Sequence, residues 1–452
     1  MVETFEAQGK AFWEWLETNG ATLSPAIAFK DYRDENAGRG VVAVKDIKEG
    51  DVLFSIARQQ LLSSQTSALR KVEGMAQVLD NLTGWNPLIL CMMYESQRAD
   101  SFWKPYFDVL PKDFTTPMFW KDEEMKELEG TDIPAKIGKT EAETMFRDEI
   151  EPIIKAHPDI FNPEIHNVEL FHICGSLIMA YSFHDELAPK ATTLKTKENA
   201  ENKKEEEEDE ESDEEEEETE ELLAMVPMAD MLNHKTGFNN ARLFHEPEAL
   251  QMRAIKPIAA GDQIYNTYGD LCNADLLRKY GFADENNPFD LCEIDGKLVV
   301  EVCAPDQDAE TIENKTDFLL EEGVMDDCFV IDTDHDVPPE LIIAVHVYRS
   351  SAEEFEKMAE KEKLPKPRLT PEAKQLLIQL LEQRLARYPT SLEDDVVSLQ
   401  SSSSHAKKNA ILVRLGEKQI LVKTLEKLKA APVAQKRSND QDQPRDSKKI
   451  KH

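Results

Sequence analysis

The spacing of hydrophobic residues changes several times along the chain, and each change predicts a different kind of element. Near the N-terminus, the aromatic and aliphatic residues 12–16 predict a short amphipathic helix, which the Asn19-Gly20 pair is expected to end. Residues 38–44 are rich in β-branched side chains after a glycine turn, and residues 52–56 form another apolar run beyond a second turn. This part of the chain is therefore predicted to be rich in β-hairpins.

Helical spacing replaces this pattern from about residue 72 to residue 185, where apolar residues recur three and four positions apart. β structure is expected to resume near Val226 and to end near residue 302. Beyond about residue 305 the apolar stripes are helical again. The pattern thus predicts an α+β protein in which one helical block interrupts the β region and a second helical region follows it.

The negative charge is concentrated in one segment. The 452 residues carry a net charge of −36, and 40% of them are hydrophobic, which is enough for substantial cores. Residues 198–221 contain seventeen acidic residues and two lysines, so they hold −15 of the charge and the rest holds −21. We expect residues 186–224 to form a disordered, surface-exposed loop, because they cannot bury enough apolar area. The acidic remainder argues against nonspecific binding to nucleic acid or anionic lipid and favours cationic partners.

Cysteine usage and hydropathy predict a soluble intracellular protein. The six cysteines are far apart, form no Cys-x-x-Cys motif and follow no signal-like N-terminus, which favours free buried thiols in a reducing compartment over disulfides or a metal site. No apolar run reaches the roughly 18 residues that a membrane-spanning helix needs. We expect no membrane association and a monomer.

A basic, disordered tail is predicted for residues 431–452. Lys436-Arg437 and the lysines of the segment 448–451 resemble the two clusters of a bipartite nuclear localisation signal. A tail that only improves solubility is the alternative. On this basis we expect the protein in the nucleus, with the cytoplasm as a further location.

Three short motifs carry most of the functional information. Residues 228–234 read Met-Ala-Asp-Met-Leu-Asn-His, residues 266–269 read Asn-Thr-Tyr-Gly, and residues 280–282 read Tyr-Gly-Phe. An Asn-His or a Tyr-Gly pair alone is common near strand ends, but this order and spacing are rare. At these residues the chain resembles the SET-domain protein-lysine methyltransferases, specifically the split-SET subclass that includes Rubisco large-subunit methyltransferase and the ribosomal lysine methyltransferases. Further segments that follow the order of this subclass are 84–88, 103–106, 117–120 and 387–390.

The resemblance covers about residues 12–428 and implies the architecture. It implies a SET β-fold with a pseudoknot, interrupted by a helical insert and followed by an all-α substrate-binding domain. The expected domains are the N-terminal part of the SET domain (1–72), the helical insert (73–185), the acidic loop (186–224), the C-terminal part of the SET domain (225–302), the helical substrate-binding domain (303–430) and the basic tail (431–452). Many SET enzymes have a zinc-binding cysteine cluster after the core, and this chain lacks one, so no metal is expected.

The resemblance also implies a cofactor, S-adenosylmethionine (AdoMet), and the residues around it. The implied cofactor-binding residues are Gly38, Arg39, Gly40, Tyr181, Asn233, His234 and Tyr280. The implied substrate-binding residues are Trp85, Ser182 and His184. Taken alone, a Gly-x-Gly is more often a hairpin turn, and an aromatic residue on a helix is more often part of a core. A buried structural role for Trp85 is an equal alternative.

Tyr268 is the predicted catalytic residue. A lysine has a pKa of about 10.4, and holding it neutral at pH 7, as an attacking amine must be, costs roughly 4.6 kcal/mol. Desolvation in an aromatic channel supplies part of this shift. The phenol of Tyr268 would orient the amine and accept weak C–H···O contacts from the polarised methyl group. No residue stands out as a general base, so proton loss to water through the channel is the working hypothesis.

The favoured function is AdoMet-dependent methylation of a lysine in a basic protein substrate, and we expect that substrate to be a large-subunit ribosomal protein. Alternatives are a protein-histidine methyltransferase, a lysine methyltransferase of histones or other nuclear proteins, and a non-catalytic acidic SET scaffold. The scaffold is disfavoured because it would not need a tyrosine at the methyl-transfer position. Direct binding to nucleic acid is not expected.

Overall fold

A computed structural model describes residues 2–35, 37–185 and 222–433. Contacts divide the chain into two compact units: unit 1 is Met1–Phe114 with Gly138–Asp270, and unit 2 is Thr115–Ile137 with Leu271–His452. Each unit has its own hydrophobic core. Within the described ranges, no helix is both long and apolar enough to cross a membrane. The predicted acidic loop and basic tail lie almost entirely outside the described residues.

The strands are β1 (Thr22–Leu23), β2 (Ile27–Asp31), β3 (Arg39–Ala43), β4 (Val52–Ala57), β5 (Ser182–Asp185), β6 (Leu222–Met225), β7 (Asn233–His234), β8 (Ala241–His245), β9 (Ala249–Ala254), β10 (Gln263–Asn266), β11 (Leu291–Asp295) and β12 (Cys328–Asp332). The helices are α1 (Val2–Thr18), α2 (Met75–Asp80), α3 (Asn86–Ser96), α4 (Lys104–Val109), α5 (Asp122–Met125), α6 (Ile133–Lys136), α7 (Lys139–Met145), α8 (Glu151–Ala156), α9 (Val168–Tyr181), α10 (Asn273–Tyr280), α11 (Gly296–Cys303), α12 (Ala309–Glu321), α13 (Pro339–Arg349), α14 (Ala352–Ala359), α15 (Pro371–Leu385), α16 (Leu392–Ser401) and α17 (His405–Ala430).

The first helix is longer than its aromatic cluster predicted. α1 begins at Val2, and its inner face buries Phe12 and Leu16 completely. The ring of Phe12 stacks against Phe29 on β2 and against Tyr106 on α4, with centroids 6.0 and 5.8 Å apart. Burying a side chain of this size contributes roughly 1.5–3 kcal/mol. The aromatic cluster therefore ties α1 to the β2 strand and to the helical part of unit 1.

Most β structure of unit 1 lies in two four-stranded sheets, ordered β1-β4-β9-β8 and β2-β3-β10-β7. The sequence predicted β3 and β4 as neighbouring strands of a hairpin-rich segment, but they lie in different sheets. β3 pairs with β2 and β10, whereas β4 pairs with β1 and β9. Alternating apolar and polar residues identify a strand locally, but the partner of that strand lies some 200 positions away in the sequence. The second sheet brings the two halves of the β region together.

A third, two-stranded sheet lies where the helical block ends. β5 and β6 pair in antiparallel fashion, with Asp185 opposite Leu222. The buried Asp185 carboxylate accepts two hydrogen bonds from the Arg58 guanidinium (2.8 and 2.9 Å) and contacts His245. A buried carboxylate needs such partners. This cluster ties the end of β5 to His245 on β8 and to Arg58, which comes directly after β4.

Unit 2 is mainly helical but contains the β11-β12 sheet. The prediction that β structure continues to about residue 302 and then ends is wrong. Residues 296–303 are already helical, and a further strand follows at residues 328–332. The short segment 115–137, expected within the helical insert, packs in unit 2, where Asp132 and Gly130 bind the fully buried Arg384 guanidinium. The predicted domain boundaries otherwise remain predictions.

Candidate active site

The two main motifs meet through a short parallel pairing. β10 lies between β3 and β7, and in the β7-β10 pair Asn233 lies opposite Tyr265 and His234 opposite Asn266. The strands pair over only two residues each, so the hydrogen bonds of this pairing alone contribute little to its stability. They need a further connection to hold this register.

Asn240 ties the chain that follows β7 to β10, and the sequence reasoning missed it. Its side-chain amide donates to the Gln263 carbonyl (3.0 Å), and its side-chain oxygen accepts from the Tyr265 N–H (2.8 Å). Its main-chain N–H donates to the Tyr265 carbonyl (3.2 Å), and its carbonyl accepts from the Ile255 N–H (2.9 Å). Asn240 is buried, so loss of these bonds would leave unpaired polar groups at a cost of about 1–3 kcal/mol each. Its position six residues after the Asn-His pair was the only available signal.

Tyr268 is held against the Asn-His turn at three points. Its N–H donates to His234 Nδ1 (3.1 Å), and its hydroxyl donates to the Leu232 carbonyl (3.4 Å). The phenol and imidazole rings stack with centroids 4.9 Å apart and an interplanar angle of 19°. Because His234 Nδ1 accepts a hydrogen bond, the neutral ring carries its proton on Nε2, which lies 3.3 Å from the Thr236 hydroxyl.

The hydroxyl of Tyr268 has only one proton, and that proton is directed to Leu232. A phenol oxygen also has lone pairs through which it can accept hydrogen bonds. This is the polarity that the predicted role requires, since an incoming amine presents N–H groups and a polarised methyl presents C–H groups. The catalytic role of Tyr268 remains a prediction, and the structure shows which contacts orient its ring.

Gly40 borders a polar cradle on the same sheet. A Cβ at this position would lie 2.6 Å from Gln263 Nε2, 2.8 Å from Asn233 Nδ2 and 2.8 Å from a ring carbon of Tyr32. Only glycine fits so closely against its neighbours. Both amide nitrogens are buried and make no hydrogen bond within the described residues. Two buried donors that converge on one glycine favour a polar ligand group between them.

Arg39 does not extend into this cradle. Its guanidinium donates to the Phe5 carbonyl (3.0 Å) and lies 3.8 Å from the centre of the Phe5 ring, against α1. Successive residues of a strand point to opposite faces, so the Arg39 side chain points away from the face on which a Cβ at position 40 would meet Asn233. Burial lowers the Arg39 pKa, which the nearby Asp31 partly offsets. Of the Gly38-Arg39-Gly40 segment, the Gly40 position is the one that the structure places beside the Asn-His motif.

The remaining predicted residues lie on several elements. Tyr181 ends α9, whereas Ser182 and His184 belong to strand β5, so the helical pattern expected up to residue 185 stops at Tyr181. Trp85 immediately precedes α3 and is 42% exposed, which disfavours a buried structural role. Tyr280 ends α10 in unit 2, where burial raises its pKa to about 12. Their predicted roles towards cofactor and substrate remain predictions.

A buried carboxyl group lies directly before the Asn-His pair, and the sequence reasoning gave it no role. Asp230 accepts a hydrogen bond from the Tyr106 hydroxyl, and burial raises its pKa to about 7. Its other carboxyl oxygen has no partner among the described residues. The neighbouring Met228 adopts a left-handed conformation with φ of 83°, which is strained for a residue with a side chain. The Tyr106 bond and the surrounding core hold this turn in place.

The chain matches two family models. Residues 38–269 match the SET domain, and residues 306–421 match the Rubisco LSMT substrate-binding domain. N-lysine methyltransferase setd6 of Danio rerio is 32% identical over 449 residues, which cover 91% of this chain and 93% of that protein. The chain belongs to the SET-domain family of protein-lysine methyltransferases. The fold and enzyme class that the sequence motifs predicted are confirmed.

Other comparisons agree with this assignment. Ribosomal lysine N-methyltransferase 4 of Saccharomyces cerevisiae is 33% identical over 331 residues, which cover 70% of this chain and 63% of that protein. The structure of Rubisco LSMT bound to AdoMet superposes with a TM-score of 0.69 at 20% identity, covering 93% of this chain and 91% of that one. At this identity the likeness shows the fold, and that fold is the SET core with a helical C-terminal region.

The polar cradle fits AdoMet, the cofactor of this family. The unpaired Asn233 and Gln263 amide donors suit a carboxylate, and the side-chain-free Gly40 permits close approach. When bound, AdoMet supplies an electrophilic methyl group on a sulfonium. In the role predicted for it, Tyr268 would accept a hydrogen bond from the lysine amine and so orient the lone pair of that amine. Alignment and a fixed electrostatic environment are the main contributions that the protein can make to such a displacement.

Replacing Tyr268 by Phe should lower the rate of methyl transfer by about 100-fold or more, because the amine loses its acceptor at a preorganised site. Binding of S-adenosylhomocysteine, measured by calorimetry, should stay within about threefold of the wild type, since the ring can still stack on His234. Transfer at the wild-type rate would show that the phenol has no catalytic role.

Replacing Gly40 by Ala should weaken S-adenosylhomocysteine binding by at least tenfold, because the new Cβ collides with the Asn233 and Gln263 amides. Gly175→Ala on α9 is the matched control, since the nearest atom to a Cβ there is Ile89 Cδ1 at 3.9 Å. That variant should bind like the wild type and be slightly more stable. Equal affinity of both variants would contradict the position of the cradle.

Proposed function

We propose that the protein transfers methyl groups from AdoMet to a lysine of a large-subunit ribosomal protein. The observation that carries the choice of substrate is the 33% identity to yeast ribosomal lysine N-methyltransferase 4 over 70% of the chain. The charge of the protein agrees with it, because even outside residues 198–221 the chain holds a net −21. Such a field attracts basic proteins and raises their association rate.

The location and assembly of the enzyme are part of this proposal. The basic clusters around Lys436 and Lys448 would direct the protein to the nucleus, where it could meet its substrate before or during assembly, and a cytoplasmic fraction is also expected. We propose that it acts as a monomer and needs neither a membrane nor direct contact with nucleic acid. Fusion of a fluorescent protein to the chain, with and without the two basic clusters, tests the nuclear part.

A lysine of another nuclear protein is the second candidate. It is kept because N-lysine methyltransferase setd6 of Danio rerio, whose name specifies no ribosomal substrate, is 32% identical over 91% of the chain, further than the yeast ribosomal enzyme. Methylation of histidine has no comparable support, since the relatives named here are all lysine methyltransferases.

Incubation with methyl-labelled AdoMet should separate these candidates. Purified enzyme is incubated in parallel with high-salt-washed ribosomal subunits, with the proteins extracted from those subunits, and with nuclear extract. We expect label in one large-subunit protein, recovered as methyllysine after hydrolysis, and about 100-fold less with the Tyr268→Phe enzyme. Label confined to nuclear proteins would favour the second candidate. Recovery as methylhistidine would contradict both.

A further inference from the structure

The β11-β12 ladder shows which main-chain groups of unit 2 face outward. In an antiparallel ladder, pairs of opposite residues alternate between hydrogen-bonded and non-hydrogen-bonded pairs. The Gly296 N–H donates to the Asp327 carbonyl (3.4 Å) just beyond the ladder. Glu293 lies opposite Val330, three pairs further along. Glu293 and Val330 therefore form a non-hydrogen-bonded pair, and their N–H and C=O groups point away from the neighbouring strand.

The two outer edges of this sheet differ. On β11 the outward carbonyl of Glu293 accepts a hydrogen bond from Arg384 Nε (3.0 Å). On β12 the outward main-chain groups of Cys328 and Val330 have no hydrogen-bonding partner within the described part of the chain. An edge of this kind is a template for another strand. We call the outward side of residues Cys328–Asp332, which faces away from β11, the β12 edge.

A cavity adjoins the β12 edge. It has a volume of about 450 Å³, and the apolar residues that line it include Val324, Met325, Phe329 and Pro338. The Val330 side chain is 44% exposed beside it. Peptides that add a strand to a sheet gain affinity from main-chain hydrogen bonds and specificity from pockets for alternate side chains. The β12 edge offers both features.

The surroundings of the β12 edge are strongly acidic. Residues 321–340 contain no Lys or Arg and eight carboxylates: Glu321, Glu322, Asp326, Asp327, Asp332, Asp334, Asp336 and Glu340. Lys427 neutralises Asp336 at 2.7 Å. Among the described residues, no three of the His, Cys, Asp and Glu side chains converge to hold a metal ion. Carboxylates spread over the segments before and after the strand suit cations spread along a peptide better than a single ion.

We propose that the β12 edge binds an extended, basic segment of the protein substrate as an added strand. An apolar side chain of that segment enters the cavity, and its Lys and Arg residues face the acidic residues before and after β12. The identity of the partner rests on the proposed function. The docked segment is distinct from the methylated lysine, so it contributes to substrate affinity and not to the chemical step.

A proline at position 330 tests the proposal directly. Val330→Pro removes the outward N–H, and it takes nothing from the ladder with β11, because that N–H does not point there. Val330→Ala is the control that shortens the side chain but keeps the N–H. The probe is a fluorescent 12-residue peptide of alternating lysine and threonine with a central leucine, bound to the full chain. Fluorescence anisotropy should show binding that weakens about tenfold or more in Val330→Pro and less than threefold in Val330→Ala.

Charge variants keep the test decisive if Val330→Pro lowers the thermal stability. Neutralising the exposed pair Asp326 and Asp327 with Asn should weaken peptide binding several-fold and reduce its dependence on salt. Neutralising the exposed Glu310 and Glu313 on α12 with Gln removes the same charge away from the edge and should change little. A version of the peptide with glutamate in place of lysine should not bind.

The proposal is overturned if the lysine peptide fails to bind the wild type, or if Val330→Pro and Val330→Ala bind it equally. In methylation assays with the whole protein substrate, Val330→Pro should raise KM about tenfold and leave kcat unchanged. If no ribosomal protein is methylated but the peptide binds as expected, the proposed function fails and the proposal that the β12 edge binds a basic strand stands. If a ribosomal protein is methylated with the same KM by both variants, the proposal of substrate docking at the β12 edge fails and the proposed function stands.

Discussion

The active centre depends on one short contact, the parallel pairing of β7 with β10. This pairing puts His234 beside Tyr268, and without it the phenol would have neither the imidazole to stack on nor the Leu232 carbonyl to receive its proton. Two residues of parallel strand are too few to be stable alone. Asn240 ties the chain that follows β7 to Gln263 and Tyr265 of β10, and its carbonyl accepts from Ile255, which comes directly after β9.

Several features of this centre are unfavourable for folding alone and suit a ligand site. The amide nitrogens of Asn233 and Gln263 are buried and make no hydrogen bond to any described residue, and Met228 adopts a strained conformation. Asp230 is a buried carboxyl group whose raised pKa means that ionisation costs stability as the pH rises from about 4 to about 7. The core of unit 1 compensates for these costs. Strain and unpaired donors of this kind concentrate where proteins bind and react.

The sequence predicted the fold class and the central residues because both depend on local or rare patterns. The order of Asn233-His234, Tyr268 and Tyr280 indicated the family, and the spacing of hydrophobic residues indicated where helices replace strands. Pairing partners were not predictable, since β3 meets β10 across more than 200 residues. Asn240 and Asp230 went unnoticed because a single Asn or Asp has no periodic signal, and their roles arise only from burial and hydrogen bonds in the folded chain. β12 was missed because its five residues lie between long helical stripes.

The most direct test of this account is the affinity of two neighbouring asparagine variants for S-adenosylhomocysteine, measured by calorimetry on the full chain. Asn240→Ala should weaken binding at least tenfold while the protein remains folded, because the β7-β10 register is lost. Asn239→Ala, which removes only a hydrogen bond to the Ala241 carbonyl (3.3 Å), should bind like the wild type. Unchanged affinity of Asn240→Ala would show that the pairing it supports does not form the cofactor site.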